Sequence, residues 1–407
     1  MDAIVKSASS GQKAADESLS LSHFLEQAHA IGEQAERTAA DAERNRQADD
    51  RMVRSLFDSG LLRILHAKRF GGYELGFPEF VRVAQALAQH DVSLSWVYCI
   101  IGAHYWWGAL VEPELQEELW GKNPDCVFVD SFAPTGEATP EDGGFRLNGR
   151  WGFLSGLPWA EWSAVGAIAP FDPGSEPEFL MFFMPKDEYQ AIDDWHTMGL
   201  RGSASASIEA HNAFVPRHRV FRLSQAIETG HAPGHRYNPG PLYRVPINCG
   251  LGLALVPPSV GGAQAVAELF KCSARVRTPR YQEHRQAELV LSQTLFAESM
   301  LTLETIEQLL HRCADELTEV GHGERVLDVV ERVRLFACRA YIARRAREVV
   351  DNLLDIAGAR SIFESESIQR FWRDLHATGQ HVTLNYEAGL RNYGRVLMGL
   401  DPDLASY

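Results

Sequence analysis

Apolar positions from Leu19 to Leu65 recur at i, i+3/i+4 spacing: Leu21, Phe24, Leu25 and Ala28, then Met52, Leu56, Leu61 and Leu62. That period predicts helix, with Gly60 and Gly71-Gly72 as punctuation. Phe77-Pro78 opens a further helix carrying Phe80, Val81, Val83, Ala84 and Leu87 on its apolar side. Between Asp91 and Glu112 lie 20 residues, Val92 to Val111, without a formal charge. A short helix is expected at 113–120. The pattern changes near Pro124. CVFVDSF, GFRLNGRWGFLS, EWSAVGAIA, EFLMFFM and SIEAHNAFV read as short strands, with Gly, Pro, Asp and Asn between them.

From Pro246 the helical period returns, with candidate helices at 247–275, 283–320, 324–357 and 367–398 and breaks at Gly321–Gly323 and Gly358. Four long helices with short connections suggest an up-and-down bundle. The expected fold class is α+β, mostly α. It comprises an N-terminal helical domain (1–124), a central antiparallel β sandwich or barrel (125–235) and a C-terminal four-helix bundle (236–407). Residues 226–245, rich in Gly and Pro, look like a linker, and residues 1–17 are expected to be loose.

Composition narrows this only modestly. Among 407 residues, 39 Lys and Arg face 54 Asp and Glu, a formal charge of −15. An acidic surface argues against nucleic-acid or anionic-membrane partners. The six cysteines form no C-x-x-C pair, which fits neither a zinc ribbon nor a disulfide framework and suggests reduced thiols in the cytoplasm. The first 20 residues lack the apolar core of a secretory signal. The uncharged run Val92–Val111 is long enough to span a bilayer. It contains Ser93, Ser95, Gly102, His104 and Gly108, however, and stands alone, so a buried helix of a soluble protein is the better reading.

Several motifs fail. Gly250-Leu251-Gly252 lacks the third glycine of a dinucleotide fingerprint and runs into Pro257-Pro258. No phosphate loop, nucleophile elbow or H-E-x-x-H is present. His231 and His235 flank Pro233-Gly234, which forbid the helix that would align them on a metal. No metal site and no nicotinamide site are expected.

The α–β–α order, with four strings in sequence, resembles the acyl-CoA dehydrogenase fold, in which flavin lies between the β domain and the C-terminal bundle. The strings are GGFRLNGRWGFLSG (143–156), MGLRGSASAS (198–207), AFVPRHRVF (213–221) and RFWRDLHATGQH (370–381). Where the dehydrogenases often keep a catalytic Glu, this chain has Val382, preceded by His381. That pattern is similar to the group D flavin-dependent monooxygenases, which include two-component hydroxylases of phenols. The resemblance covers about residues 20–400.

The resemblance implies roles for particular residues. His381 acts as the catalytic imidazole on the substrate, deprotonating or polarising a phenol, and a histidine can serve as a base near neutral pH. His104 contacts the substrate oxygen, although a polar ring in an uncharged helix can equally be a core histidine bonded to a backbone carbonyl. Ser155 hydrogen-bonds near the flavin ring and Phe153 packs on it. Strand alternation would place both on one face. Ser131 contacts the flavin, Trp195 (with Trp159 as a further candidate) walls the pocket, and Arg201 meets flavin phosphate, a neighbouring subunit or a surface carboxylate. If 370–398 is one helix, Asp374 and His381, seven residues apart, share a face about 10 Å apart along the axis. His376 would then point elsewhere, and Arg373-Asp374 would fix the helix through ion pairs.

The implied function is that of an oxygenase component. Reduced flavin (FMNH2 or FADH2) would arrive from a separate NAD(P)H:flavin reductase and react with O2 to give a C4a-hydroperoxyflavin. A small aromatic substrate would then be hydroxylated ortho to an existing hydroxyl. A homotetramer is expected. Three alternatives stay open on the sequence: an acyl-CoA dehydrogenase with a displaced base, for instance at Glu387; an N- or S-oxygenase; and a flavin-free assembly protein on the same scaffold.

Overall fold

The computed structural model describes residues 20–323 and 326–403, so the expected loose segment at 1–17 lies outside the described residues. The N-terminal helices are α1 (Leu21–Asn45), α2 (Asp50–Asp58), α3 (Phe77–Ala88), α4 (Val92–Gly108) and α5 (Pro113–Trp120). Side-chain caps set their starts. Ser20 accepts from His23 N, Asp49 from Arg51 N and Asp91 from Leu94 N, each satisfying an N–H that the helix itself leaves unpaired.

Helix α4 has no polar face because it is the centre of the molecule. Every residue from Val92 to Gly108 except Ile100 is buried within the protein, which answers the membrane question its composition raises. Trp107 meets Phe128, Phe132, Phe183 and Phe221 at ring-centroid distances of 5.1–5.9 Å. Complete burial of a large aromatic is worth roughly 2–3 kcal/mol, so the seam between α4 and the sheet is a substantial apolar contact.

Seven strands follow: β1 (Phe128–Glu141), β2 (Gly144–Leu154), β3 (Trp162–Pro170), β4 (Pro177–Pro185), β5 (Gln190–Ile192), β6 (Ala206–Pro216) and β7 (Val220–Arg222). Their order is β5-β6-β2-β1-β3-β4-β7. The expected antiparallel domain is corrected in one pair. β1 and β3 run parallel, with Phe128–Ser131 opposite Trp162–Val165, whereas β1 and β2 form an antiparallel hairpin in which Glu137–Glu141 pair with Gly144–Asn148. After β2 the chain crosses β1 through a turn at Leu157–Trp159 and returns in the direction of β1. β1 thus leans on β3 with its first half and on β2 with its second.

Helix α6 (Leu223–Thr229) leads into α7 (Ile247–Ala254), α8 (Pro257–Val276), α9 (Val290–His322), α10 (Val329–Ala357), α11 (Ser367–Thr378) and α12 (Tyr386–Leu397). The expected helix at 247–275 is interrupted before Pro257-Pro258, where the missing N–H groups favour a fresh start. The helix expected from 283 begins at Val290, after a short turn at Gln286–Glu288. The helix expected over 367–398 is two helices, with consequences described below. α8 packs on α3, α10 and α11, and α9 packs on α3 and α10, so the N-terminal helices and the bundle share one core. Gly250 and Gly252 do not make a nucleotide turn. A Cβ on them would lie 2.3 Å from Trp106 and 2.2 Å from the Arg339 guanidinium respectively. All six cysteines are free thiols.

Candidate active site

His381 and Ser155 meet through Trp96 where α4, the end of β2, the loop before β6 and the α11–α12 connection come together. Helix α11 stops at Thr378, whose hydroxyl bonds back to Asp374 O (2.8 Å). His381 is extended (φ −62°, ψ 135°) and caps a short turn at Val382–Leu384. Asn385 then caps α12 by accepting from Ala388 N (2.9 Å). A single helix over 370–398, with Asp374 and His381 on one face, is therefore corrected: the two residues belong to different elements and do different work. His376 faces away from the site, tilted against Trp372 with Nε2 3.3 Å from Asp351.

His381 lies edge-on to Trp96, ring centroids 5.7 Å apart. Its Nδ1 meets Thr383 Oγ1 (2.9 Å) and accepts from Thr383 N (3.3 Å). Burial lowers its pKa to about 4, against the opposing pull of Asp130, and Arg339 adds to the lowering. The imidazole is thus neutral at physiological pH. Its Nε2 has no hydrogen-bond partner among the described residues.

His104 is placed differently. Its Nδ1 is 2.7 Å from Phe128 O, and its Nε2 is 2.9 Å from Asp130 Oδ2. A carbonyl oxygen cannot donate, so Nδ1 carries a proton. Nε2 then faces a carboxylate, and that contact needs a second proton, shared by the pair. Trp107 Nε1 also donates to Asp130 Oδ2 (3.1 Å). With both nitrogens taken, the expected direct bond from His104 to a substrate oxygen is corrected. This ring is a buried partner of Asp130, and the carbonyl bond of the core alternative is present. Asp130 was missed in the sequence, where the available signal is a carboxylate in an otherwise apolar strand start, CVFVDSF.

Ser155 sits just past β2, buried. Its Oγ accepts from Trp96 Nε1 (3.0 Å) and pairs with Ser205 Oγ (2.8 Å), which pairs with Ser203 Oγ (2.7 Å). Trp96 and the two serines were also missed; the signal is the alternation Ser203, Ser205, Ser207 beside the glycine loop. Ser131 donates to Gly152 O (3.0 Å), which ties β1 to β2. Phe153 is 79% exposed and has φ +67°, in the left-handed region. A large apolar ring held outward on a strained backbone is a feature of functional sites. That conformation interrupts the pleat, as does the register shift between Trp151 and Leu154. Simple alternation therefore does not relate Phe153 to Ser155. Trp195 packs edge-to-face on Phe153 at 5.9 Å.

The loop 198–202 is locked from below. Trp195 Nε1 donates to Leu200 O (2.9 Å), and Leu200 N donates to Asp374 Oδ1 (2.7 Å). Arg373 forms a bidentate pair with Glu43 (both 2.7 Å) and donates to Met198 O (2.6 Å). A Cβ on Gly199 would lie 2.2 Å from Arg373 O, so only glycine fits there. Arg373-Asp374 thus holds this loop rather than merely its own helix. Burial, reinforced by Asp91, raises the Asp374 pKa to about 7. Arg201 donates through Nε to Glu43 O (3.1 Å), and its Nη groups have no partner among the described residues. Trp159, a candidate for the lining, instead donates to Asp50 (2.9 Å).

An outward aromatic face, a hydroxyl chain and a partnerless imidazole nitrogen, on elements from all three parts of the chain, fit the planar, hydrogen-bonding edge of a flavin ring. The fold and this site define a flavin-using oxidoreductase of the acyl-CoA dehydrogenase architecture. Residues 253–386 match the family described as "Acyl-CoA dehydrogenase, C-terminal domain". The flavin-dependent monooxygenase oxygenase subunit HsaA of Rhodococcus jostii (strain RHA1) is 30% identical over 367 residues, 89% of this chain and 94% of that protein. The FADH(2)-dependent resorcinol hydroxylase oxygenase component of Rhizobium sp. (strain MTP-10005) is 29% identical over 374 residues, 90% of this chain and 91% of that one. The solved structure of XiaF from Streptomyces sp. in complex with FADH2 and glycerol superposes with a TM-score of 0.89 at 26% identity, over 97% of this chain and 100% of that one. The chain belongs to the oxygenase components of flavin-dependent monooxygenases, and reduced flavin and O2 are its co-substrates.

Proposed function

We propose that this oxygenase hydroxylates a small phenolic ring ortho to its hydroxyl group, with His381 at the phenol oxygen. The observation that carries this reading is the partnerless Nε2 of His381, on a neutral ring beside Trp96 and the Trp96–Ser155 hydrogen bond. Two relatives' names support the substrate class, since resorcinol and p-hydroxyphenylacetate are both phenols. Reduced flavin, when bound, activates O2 and supplies one oxygen atom to the ring while the other leaves as water. FADH2 is the form named for a relative and for a structural neighbour.

The chain's own residues position and protect. Phe153 and Trp195 offer the flat apolar surface for the ring system, the Ser155–Ser205–Ser203 hydroxyls offer bonds at its polar edge, and the Arg201 Nη groups suit an anionic phosphate. The apolar seam of α4 against β1 keeps water out, which strengthens each polar contact inside. A desaturase reading finds less support. Val382, at the position of the dehydrogenase base, is 74% exposed, and Glu387 is exposed on the first turn of α12.

The oxygenase takes its flavin from a separate reductase. We extend the proposal to self-association through the bundle, supported by exposed Leu291 and Leu301 on α9 and Leu397 and Met398 near the end of α12. Light scattering of the purified protein tests that point; a monomer at micromolar concentration would refute it.

The experiment for the activity mixes the anaerobic FADH2 complex with O2 and a panel of phenols, and measures catechol against H2O2. Catechol in substantial yield from at least one phenol is expected. H2O2 alone across the panel, or anaerobic bleaching of the oxidised flavoprotein by a CoA thioester, would overturn the proposal.

A further inference from the structure

We infer that Thr383, seated by Arg339, is a positioning residue that fixes His381 in its Nε2–H tautomer, so that the imidazole meets a ligand oxygen as a hydrogen-bond donor. The inference deepens the preceding reading and rests on it for the identity of that oxygen.

The argument starts with the direction of one backbone bond. The N–H of Thr383 points at His381 Nδ1 (3.3 Å), and a backbone N–H can only donate. Nδ1 must therefore present its lone pair. Thr383 Oγ1, 2.9 Å from the same nitrogen, has only the role of a second donor left to it. A neutral imidazole has one ring proton, so it resides on Nε2. A proton on Nδ1 would oppose the Thr383 N–H and would force the hydroxyl to turn round. Two donors converging on one nitrogen set the tautomer, as the second partner of a histidine generally does.

The turn that makes this contact is not held by a helix. It closes on itself through Leu384 N to His381 O (2.9 Å) and Asn385 N to Val382 O (3.2 Å). Its outside anchor is Arg339 of α10, whose Nε donates to Thr383 O (2.8 Å) and whose Nη1 donates to Asn248 O (3.1 Å) on α7. Arg339 is buried and has no carboxylate partner among the described residues. A buried cation spent on two carbonyls is costly, and the contacts it makes are those that tie the His381 turn to the bundle. Gly252 leaves room for the guanidinium. The charged groups that act on the ring are Asp130 of β1 and Arg339 of α10, on opposite sides of the electrostatic balance.

A His381 that donates at Nε2 favours an anionic substrate oxygen. The phenol O–H proton is then released to bulk water as the phenolate binds, rather than captured by the imidazole. No redox step is involved: the O–H bond breaks, its electron pair stays on oxygen, and the proton leaves as hydronium.

Magic-angle-spinning 15N spectra of histidine-labelled protein without flavin, at pH 7.5, read the tautomer directly, with His381→Gln used to assign the signals. The expected result is an Nε2–H resonance for His381 as the dominant form, with the Nδ1–H form a minor, quantifiable fraction. A dominant Nδ1–H tautomer or an imidazolium would overturn the inference. Thr383→Val should weaken the tautomer preference by about fivefold, the worth of one hydrogen bond, and Thr383→Ser should restore it. An unchanged ratio in Thr383→Val would remove Thr383 from the role. These spectra need no turnover, so they separate the two claims. An Nε2–H tautomer together with full product yield in His381→Ala would sink the substrate reading and leave the tautomer standing.

Discussion

Two histidines reach the heart of this protein from opposite walls, and they are held in opposite ways. His104, on α4, has a carbonyl on one nitrogen and a carboxylate on the other, and is buried under Phe128. His381, on the turn between α11 and α12, has two donors on one nitrogen and nothing on the other. The first arrangement consumes a histidine's chemistry in the service of the wall. The second leaves half of it available. The two rings differ in how many of their nitrogens are engaged: both in His104, only Nδ1 in His381.

The largest effect should come from removing each ring in turn. His381→Ala should cut catechol formation by at least about 100-fold, as expected for loss of a preorganised donor aimed at the charge on the reacting oxygen, with H2O2 release taking over. Flavin binding should persist, and stability should fall by only about 1 kcal/mol, because the two donors left without an acceptor belong to half-buried Thr383. His104→Ala should instead be destabilised, by about 3 kcal/mol, because it leaves a cavity in the core and strips the mostly buried Asp130 of its ring partner. Denaturant titrations alongside product assays distinguish the two. A His104→Ala protein as stable as the parent, or a His381→Ala protein as unstable, would erase the contrast.

A second contrast lies between the two tethers of the site, and its expected effect is smaller. The His381 turn leans on a buried cation, whereas the loop at 198–202 leans on the buried acid Asp374. The Asp374 carboxyl titrates near 7 in the fold, above its ordinary value near 3.8. A raised pKa means that the fold binds the proton more tightly than the unfolded chain does. The resulting stabilisation is complete below pH ~4 and is lost as pH rises through ~7. Asp374→Asn keeps an oxygen for the Leu200 N–H and cannot ionise, and it spares Asp91 a like-charged neighbour. The variant should match the parent at pH 4 and exceed it at pH 8, by about 2 kcal/mol after discounting for the coupling to Asp91. Melting curves across that range check the sign, and a variant less stable at pH 8 would contradict it.

How much of this was legible in advance depends on which physical signal each feature leaves in the chain. Periodicity revealed α3, the uncharged run revealed α4, and the change to alternating strands located β1 to β4 and β6. The four strings around 143, 198, 213 and 370 pointed to the family; of the residues they hold, His381 and Ser155 both contact Trp96, and Phe153 packs on Trp195. Breaks of continuity were harder. Nothing in the apolar spacing of 367–398 shows that Thr378 turns its hydroxyl inward, or that Asn385 begins a new helix. The positive φ of Phe153 is likewise set by its surroundings, because an isolated Phe avoids it. Partners contributed by distant segments left no local trace. Asp130 explains His104, Trp96 explains Ser155 and Arg339 explains the His381 turn, yet each pair is joined only by the tertiary fold.

The smallest expected effect concerns the hydroxyl chain, and it tests whether the β-domain wall takes part in the chemistry at all. Ser155 holds the proton of Trp96 on one side and the Ser205–Ser203 pair on the other. Ser155→Ala removes several neutral hydrogen bonds together, to the indole, to Ser205 and to any ligand edge it faces, each worth about 1 kcal/mol. Trp96→Phe removes only the first of these and keeps the edge-on contact with His381. If Ser155 serves the flavin, Ser155→Ala should raise the ratio of H2O2 to catechol about fivefold, whereas Trp96→Phe should shift it less than twofold. If the serine is only a peg for the indole, the two variants should behave alike. Equal ratios would move Ser155 to the side of His104, as part of the wall, and leave the proposed polar contact with the reacting oxygen to the turn at His381.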